Sequence, residues 1–100
     1  MMERMLSVNE DKSWCVYIVE CDDDSLYTGV TNNIEKRFNA HASGKGAKYF
    51  RLRKPMRIVY TEQNLSKSSA HSREYAIKQL KKADKQQLIK EVFSQCLNEQ

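Results

Sequence analysis

Trp14-Cys15-Val16-Tyr17-Ile18-Val19, then Asp22-Asp23-Asp24-Ser25, then Leu26-Tyr27-Thr28-Gly29-Val30-Thr31 is the stretch on which the reading of the fold turns. The first run is rich in β-branched and aromatic residues and does not alternate with polar ones. It reads as a central strand buried on both faces. The aspartates and serine break it as a turn. The second run follows closely enough to return as the antiparallel partner of a hairpin. Gly29 inside it leaves room for another group to approach the backbone.

Directly downstream, Asn32 and Glu35 have the spacing of a capping box, which predicts a helix from there to Ser43-Gly44, where glycine can supply a left-handed end. At about 100° per residue Ile34 and Phe38 face the sheet, while Arg37 and His41, one turn apart, lie along the same stripe or at its margin. A guanidinium and an imidazole therefore fall near a sheet rim that also carries the phenols of Tyr17 and Tyr27. Packing alone does not account for such a cluster.

From Ser43 to Pro55 the chain reads as a loop, opened by Gly44 and Gly46 and closed by Pro55. Between Lys45 and Arg57 it holds six basic residues and no acidic one, with Tyr49 and Phe50 among them. Cations that neutralise phosphates beside rings that stack on bases suit a nucleic acid, and Lys45, Lys48, Tyr49, Arg51, Arg53 and Lys54 are the candidate contacts. The competing reading is a solvated loop whose aromatics fold back on the core. A third strand is expected over Met56-Arg57-Ile58-Val59-Tyr60-Thr61 with Met56, Ile58 and Tyr60 on one face. Asn64-Leu65-Ser66 is a turn, and Ser66 caps a helix from about Lys67 to Lys82.

On that helix Glu74 shares a stripe with Ala70 and Ile77, so its carboxylate is costly unless it is paired or holds a cation; an ion pair with Arg73 or Lys78 is the plain alternative. Asp84 with Gln87 offers a second capping box for a last helix with the apolar stripe Leu88, Ile89, Val92, Phe93 and Cys96, although one kinked helix through both segments stays open. The expectation is an α+β domain: a small, mostly antiparallel three-stranded sheet flanked by about three helices in the order β-β-α-β-α-α.

With 100 residues the chain has room for one domain, which buries roughly 65% of its unfolded surface. A loose leader over 1–12 and a single domain over 13–98 are expected. At 40% hydrophobic and 30% charged residues, with no apolar run near the ~20 residues of a membrane span, it reads as globular. The first dozen residues lack the apolar block of a signal peptide. Cys15 and Cys21 on one strand would stand roughly 20 Å apart, too far to bridge. Together with Cys96 they read as reduced thiols of a cytoplasmic protein. The net charge of +4 is modest, and its concentration in the loop says more.

Val16-Tyr17, Tyr27-Thr28-Gly29, Arg37, His41 and Glu74, in that order and spacing, resemble the GIY-YIG nuclease domain, most closely its small stand-alone bacterial members. The likeness runs from about Trp14 to Ile89. Cys15 stands where the first name-giving motif has glycine, and Thr28 where the second has isoleucine. The resemblance implies a divalent-metal-dependent endonuclease that hydrolyses phosphodiester bonds in DNA, in repair or processing of DNA structures. It implies a single weakly bound Mg²⁺ or Mn²⁺ with Glu74 as its protein ligand. It also implies Arg37 bracing the phosphate, with Tyr17 and Tyr27 orienting or deprotonating the attacking water. Since a phenol titrates near 10, His41 is an alternative proton acceptor, and Tyr27 as base with His41 assisting is the favoured form. The competing function is a nucleic-acid-binding module that keeps the fold without turnover, and a protein-interaction adaptor is a third. RNA stays open beside DNA, as do a protein partner supplying specificity and the oligomeric state.

Overall fold

The computed structural model describes residues 12–98. All but the last residue of the expected leader lies outside this range, and Phe93 and Cys96 fall outside the described side chains. Three strands, β1 (Trp14–Cys21), β2 (Leu26–Thr31) and β3 (Pro55–Leu65), form one antiparallel sheet in the order β2-β1-β3. The helices are α1 (Ile34–Ala42) after β2, and α2 (Lys67–Lys78) and α3 (Lys82–Asn98) after β3, with a short 3-10 helix over Lys48–Arg51 in the loop. Among the described residues no helix is long and apolar enough to cross a membrane.

β1 is the middle strand because its side chains are apolar on both faces, and Cys15 to Val19 are all buried. Val16 and Ile18 point to one layer, where they pack with Tyr60, Ala70 and Ile77 and with the half-buried Val30, Leu88 and Ile89. A fully buried aliphatic side chain such as Ile77 contributes about 1.5–3 kcal/mol. Tyr17, Val19 and Cys21 point to the other layer, covered by Phe50 of the 3-10 helix and by Ile34 and Phe38 of α1. Cys15 and Cys21 are free, and burial pushes both thiols up.

Several boundaries differ from the sequence reading. α1 is capped by Asn33 rather than Asn32: its Oδ1 accepts the Lys36 N–H at 3.1 Å, and its own N–H donates to Thr31 Oγ1 at 3.1 Å, which ties the cap to the end of β2. β3 runs through the expected turn to Leu65. Its eleven residues face the eight of β1, and the surplus of three is taken up at three register shifts. Asn64, with φ 62°, lies within one of them. Because Ile18 pairs with Tyr60 while Val19 pairs with Ile58, Ile58 and Tyr60 belong to opposite layers rather than to one face, and Met56 is exposed. α2 stops at Lys78, not Lys82, where the Gln79 and Leu80 N–H groups turn back to Ala76 and Ile77 carbonyls and tighten the last turn. α3 is a separate helix that starts at Lys82, with Asp84 inside its first turn.

Candidate active site and basic loop

Tyr17 and Tyr27 sit on adjacent strands and on the same face, because Tyr17 pairs with Gly29 and Val19 with Tyr27. Their ring centroids are 6.3 Å apart. Gly29 is needed for this arrangement: a Cβ there would lie 2.5 Å from the Tyr17 hydroxyl oxygen. α1 lies over the same face and inserts His41, which is 1% exposed, so that its Nε2 stands 2.8 Å from the Tyr17 oxygen. The other ring nitrogen, Nδ1, accepts the Ala47 N–H at 3.3 Å. An Nδ1 that accepts leaves the proton on Nε2, so His41 donates to Tyr17. Gly46 makes room for the ring, since a Cβ at that position would come 2.0 Å from Nδ1.

The titration of these groups follows from the burial. Desolvation, followed by the positive charge of Arg37, pushes His41 down to about 4, so the imidazole is neutral at physiological pH. Burial, reinforced by the neighbouring Tyr27, pushes Tyr17 up to about 12, against hydrogen bonding and charge from Arg37 that lower it. Tyr17 is thus a phenol whose oxygen receives a donor from His41, with the positive charge of Arg37 nearby. Its own proton is left to point elsewhere. Tyr27 is half-buried, edge-on to His41 at 5.4 Å and to Phe50 at 4.9 Å. Arg37 is exposed and lines a shallow cleft with Thr31, Asn33 and Lys36 at the start of α1.

Glu74 is placed differently. It is carried by α2, which packs through Ala70 and Ile77 against the layer opposite Tyr17 while lying along β1 and β2. Its carboxylate meets Lys78 Nζ at 3.2 Å and His71 Nδ1 at 3.7 Å. Arg73, the other expected partner, instead makes a two-pronged contact with Glu62 of β3 at 2.8 and 2.7 Å. No hydrogen bond or ion pair among the described residues joins Glu74 to Tyr17, Tyr27, Arg37 or His41. No group of three or more metal-ligating side chains occurs among the described residues either.

The basic loop is ordered by its aromatics. Phe50 is buried with its ring 4.3 Å from His41, and Tyr49 packs on Tyr27 at 5.2 Å. The Arg53 guanidinium lies 4.2 Å from the Tyr49 ring centre and bonds Asp23 at 2.9 Å. Lys45, Lys48, Arg51 and Lys54 are exposed. Tyr49 is therefore not an open stacking platform, and Arg53 is not a free cation. Ala47 and Asp23 carry no sequence signal as supports, whereas Gly46 directly after the helix and the reading in which the loop's aromatics fold back on the core point to the roles of Gly46 and Phe50.

A family model described as the GIY-YIG catalytic domain matches residues 13–87. A UPF0213 protein of Clostridium perfringens is 57% identical over 74 residues, which are 74% of this chain and 80% of that protein. One of Desulfotalea psychrophila is 51% identical over 79 residues, 78% of this chain and 72% of its own. The solution NMR structure of a UPF0213 protein from Bacillus halodurans aligns with a TM-score of 0.50 at 48% identity, covering 77% of this chain and 82% of that one. That of a protein from E. faecalis aligns at 0.57 and 38%, covering 84% and 91%. The ordered tyrosines, arginine, histidine and glutamate, the strands and helices that carry them and these matches lead to one statement: the chain belongs to the GIY-YIG domain family.

Proposed function

We propose that the protein is an endonuclease that hydrolyses phosphodiester bonds in DNA with one divalent ion, Mg²⁺ or Mn²⁺, and that it serves the repair or processing of DNA structures. The observation that carries this reading is the convergence of Tyr17, Tyr27, Arg37 and His41 around one buried hydrogen bond, in a chain of a nuclease-type family. A buried, doubly hydrogen-bonded phenol–imidazole pair beside an exposed guanidinium is more than packing requires.

In this reading Arg37, the exposed member, braces the scissile phosphate as negative charge grows on it. Tyr17 stays protonated and offers its hydrogen to a phosphate oxygen or to the attacking water. Tyr27 orients that water and, once it has lost its own proton to solvent, takes the proton of the water as a phenolate. His41, neutral and engaged at both nitrogens, holds Tyr17 rather than accepting a proton itself, which replaces the assisting-base role expected for it. Lys45, Lys48, Arg51 and Lys54 grip the backbone on either side of the cut.

A partly exposed carboxylate with His71 beside it, and no group of three or more metal-ligating side chains among the described residues, fits an ion that keeps most of its coordination for water and phosphate, as Mg²⁺ does. Glu74 would hold it, giving up its contacts with Lys78 and His71. When bound, such an ion polarises a phosphate oxygen and lowers the pKa of its water. Free thiols at Cys15 and Cys21 suit the cytoplasm. The second reading, a binding module without turnover, draws on Glu74 being occupied by Lys78.

Incubation of purified protein with labelled duplex, flap, branched and single-stranded DNA, with Mg²⁺ and with chelator, separates the two. Cleavage that requires the metal and disappears in Glu74→Ala supports the nuclease. Salt-sensitive binding with no product under Mg²⁺ or Mn²⁺ supports the module.

A further inference from the structure

The loop between α1 and β3 holds its cations in two different ways. Lys45, Lys48, Arg51 and Lys54 are exposed, and no ion pair engages their side chains among the described residues. Arg53 is partly buried and fixed on two sides. Its Nε donates to Asp23 Oδ2 at 2.9 Å, and its guanidinium lies over the Tyr49 ring at 4.2 Å. Asp23 is itself set by the β1–β2 turn, where its Oδ1 accepts from the Ser25 N–H at 3.1 Å and from the Ser25 hydroxyl at 2.5 Å. The same turn ties down the strand start beyond Arg53, since Lys54 N–H donates to Asp22 Oδ1 at 3.1 Å and Asp22 N–H to the Lys54 carbonyl at 3.0 Å.

Tyr49 also meets Tyr27 at 5.2 Å, and Tyr27 in turn meets His41 and Phe50. A continuous line of contacts thus runs from Asp23 through Arg53 and Tyr49 to Tyr27. A guanidinium is suited to this task, because its plane lies flat on a ring while its edge bonds a carboxylate; an ammonium can do only one of these.

We infer that Arg53 is a positioning residue for Tyr27, acting through the ring of Tyr49, and is not one of the cations that bind the nucleic-acid backbone. The catalytic part of this inference rests on the role proposed for Tyr27; the structural part stands without it. Loss of Arg53 removes the contact that fixes the Tyr49 ring, and with it the fixed neighbour of Tyr27.

Two measurements on the full chain test this, and the first requires neither metal nor DNA. Proton NMR of the Tyr27 ring reports its neighbours through ring-current shifts. Arg53→Ala and Arg53→Lys are expected to move the Tyr27 resonances while those of Val16 and Ile18 methyls in the opposite layer stay in place. Tyr49→Phe, which keeps the ring and the stack, is expected to leave Tyr27 where it is. The second measurement is the salt dependence of binding to a short DNA duplex, with single-turnover cleavage alongside. Arg51→Ala should lower the slope of log K against log salt by about 1, as loss of one phosphate contact does. Arg53→Ala should leave that slope unchanged and lower the maximal single-turnover rate about ten- to a hundredfold, with the half-saturating enzyme concentration changed less than about twofold.

Unmoved Tyr27 resonances in Arg53→Ala, or a slope reduced in Arg53→Ala as in Arg51→Ala, would overturn the inference. If no variant and no wild-type sample cleaves DNA, the nuclease reading fails, and the NMR result still decides the structural part.

Discussion

The two layers on either side of β1 are built on opposite terms. Toward α2 and α3 the strand presents Val16 and Ile18 to Ala70 and Ile77, and the polar groups of that side, Tyr60, Glu62 and Arg73, pair with each other at the margin. Toward α1 and the loop the same strand presents Tyr17, and a histidine, two glycine gaps and a backbone amide are spent on holding its hydroxyl. An apolar layer needs only shape and volume. A buried phenol–imidazole pair needs every donor and acceptor placed, which is the arrangement expected where a chain binds and reacts rather than merely folds.

The largest effect should come from the apolar layer. Ile77 is 1% exposed, and Ile77→Ala should cost about 2–5 kcal/mol in urea unfolding while the folded fraction keeps its cleavage rate. If the rate of the folded fraction falls as well, the division between the layers is wrong.

The second effect belongs to the polar layer and depends on pH. An imidazole pushed down to about 4 when folded binds its proton more readily in the unfolded chain, where it titrates near 6.5. Stability should therefore be fully present above about 6.5 and be lost as pH falls from there toward 4, by about 3 kcal/mol over that window. Urea midpoints measured at pH 7 and at pH 4.5 in wild type and in His41→Phe check this, because the variant should lack that part of the pH dependence. A variant with the same slope as wild type would assign the loss to the carboxylates instead.

The smallest effect is a gain. Thr28, at the isoleucine position of the second motif, is 2% exposed on the α2 side and buries a hydroxyl with no hydrogen-bond partner among the described residues. Thr28→Val keeps the shape and removes that hydroxyl, so it should raise stability by about 1 kcal/mol with no change in cleavage. A loss would show that the hydroxyl has a role in the site.

What the sequence made legible follows the same division. The unbroken apolar run Cys15 to Val19 identified the central strand, and the four-residue step from Arg37 to His41 identified the helix edge that faces the phenols, because both signals are local and periodic. Three features were not readable in this way. The shifts that send Ile58 and Tyr60 to opposite layers break the two-residue period on which strand faces are inferred. Arg73 bonds Glu62 eleven residues away rather than Glu74 beside it, a choice made across elements that helix spacing cannot express. Tyr49 and Arg53 look like a nucleic-acid surface by composition, but each is the other's partner, with Asp23 supplying the third member from thirty residues earlier.

The central claim is that the side chains acting on the phosphate and the water sit on the loop-covered face, with α2 contributing only Glu74 for the ion. The most direct test is single-turnover DNA cleavage by Arg37→Ala and Ile77→Ala, compared with wild type at a temperature where all three are folded. The account predicts that Arg37→Ala, exposed and nearly neutral for stability, loses about a hundredfold or more in rate, as does removal of a donor aimed at developing charge elsewhere, while Ile77→Ala cleaves like wild type. Arg37→Ala cleaving at the wild-type rate would contradict it.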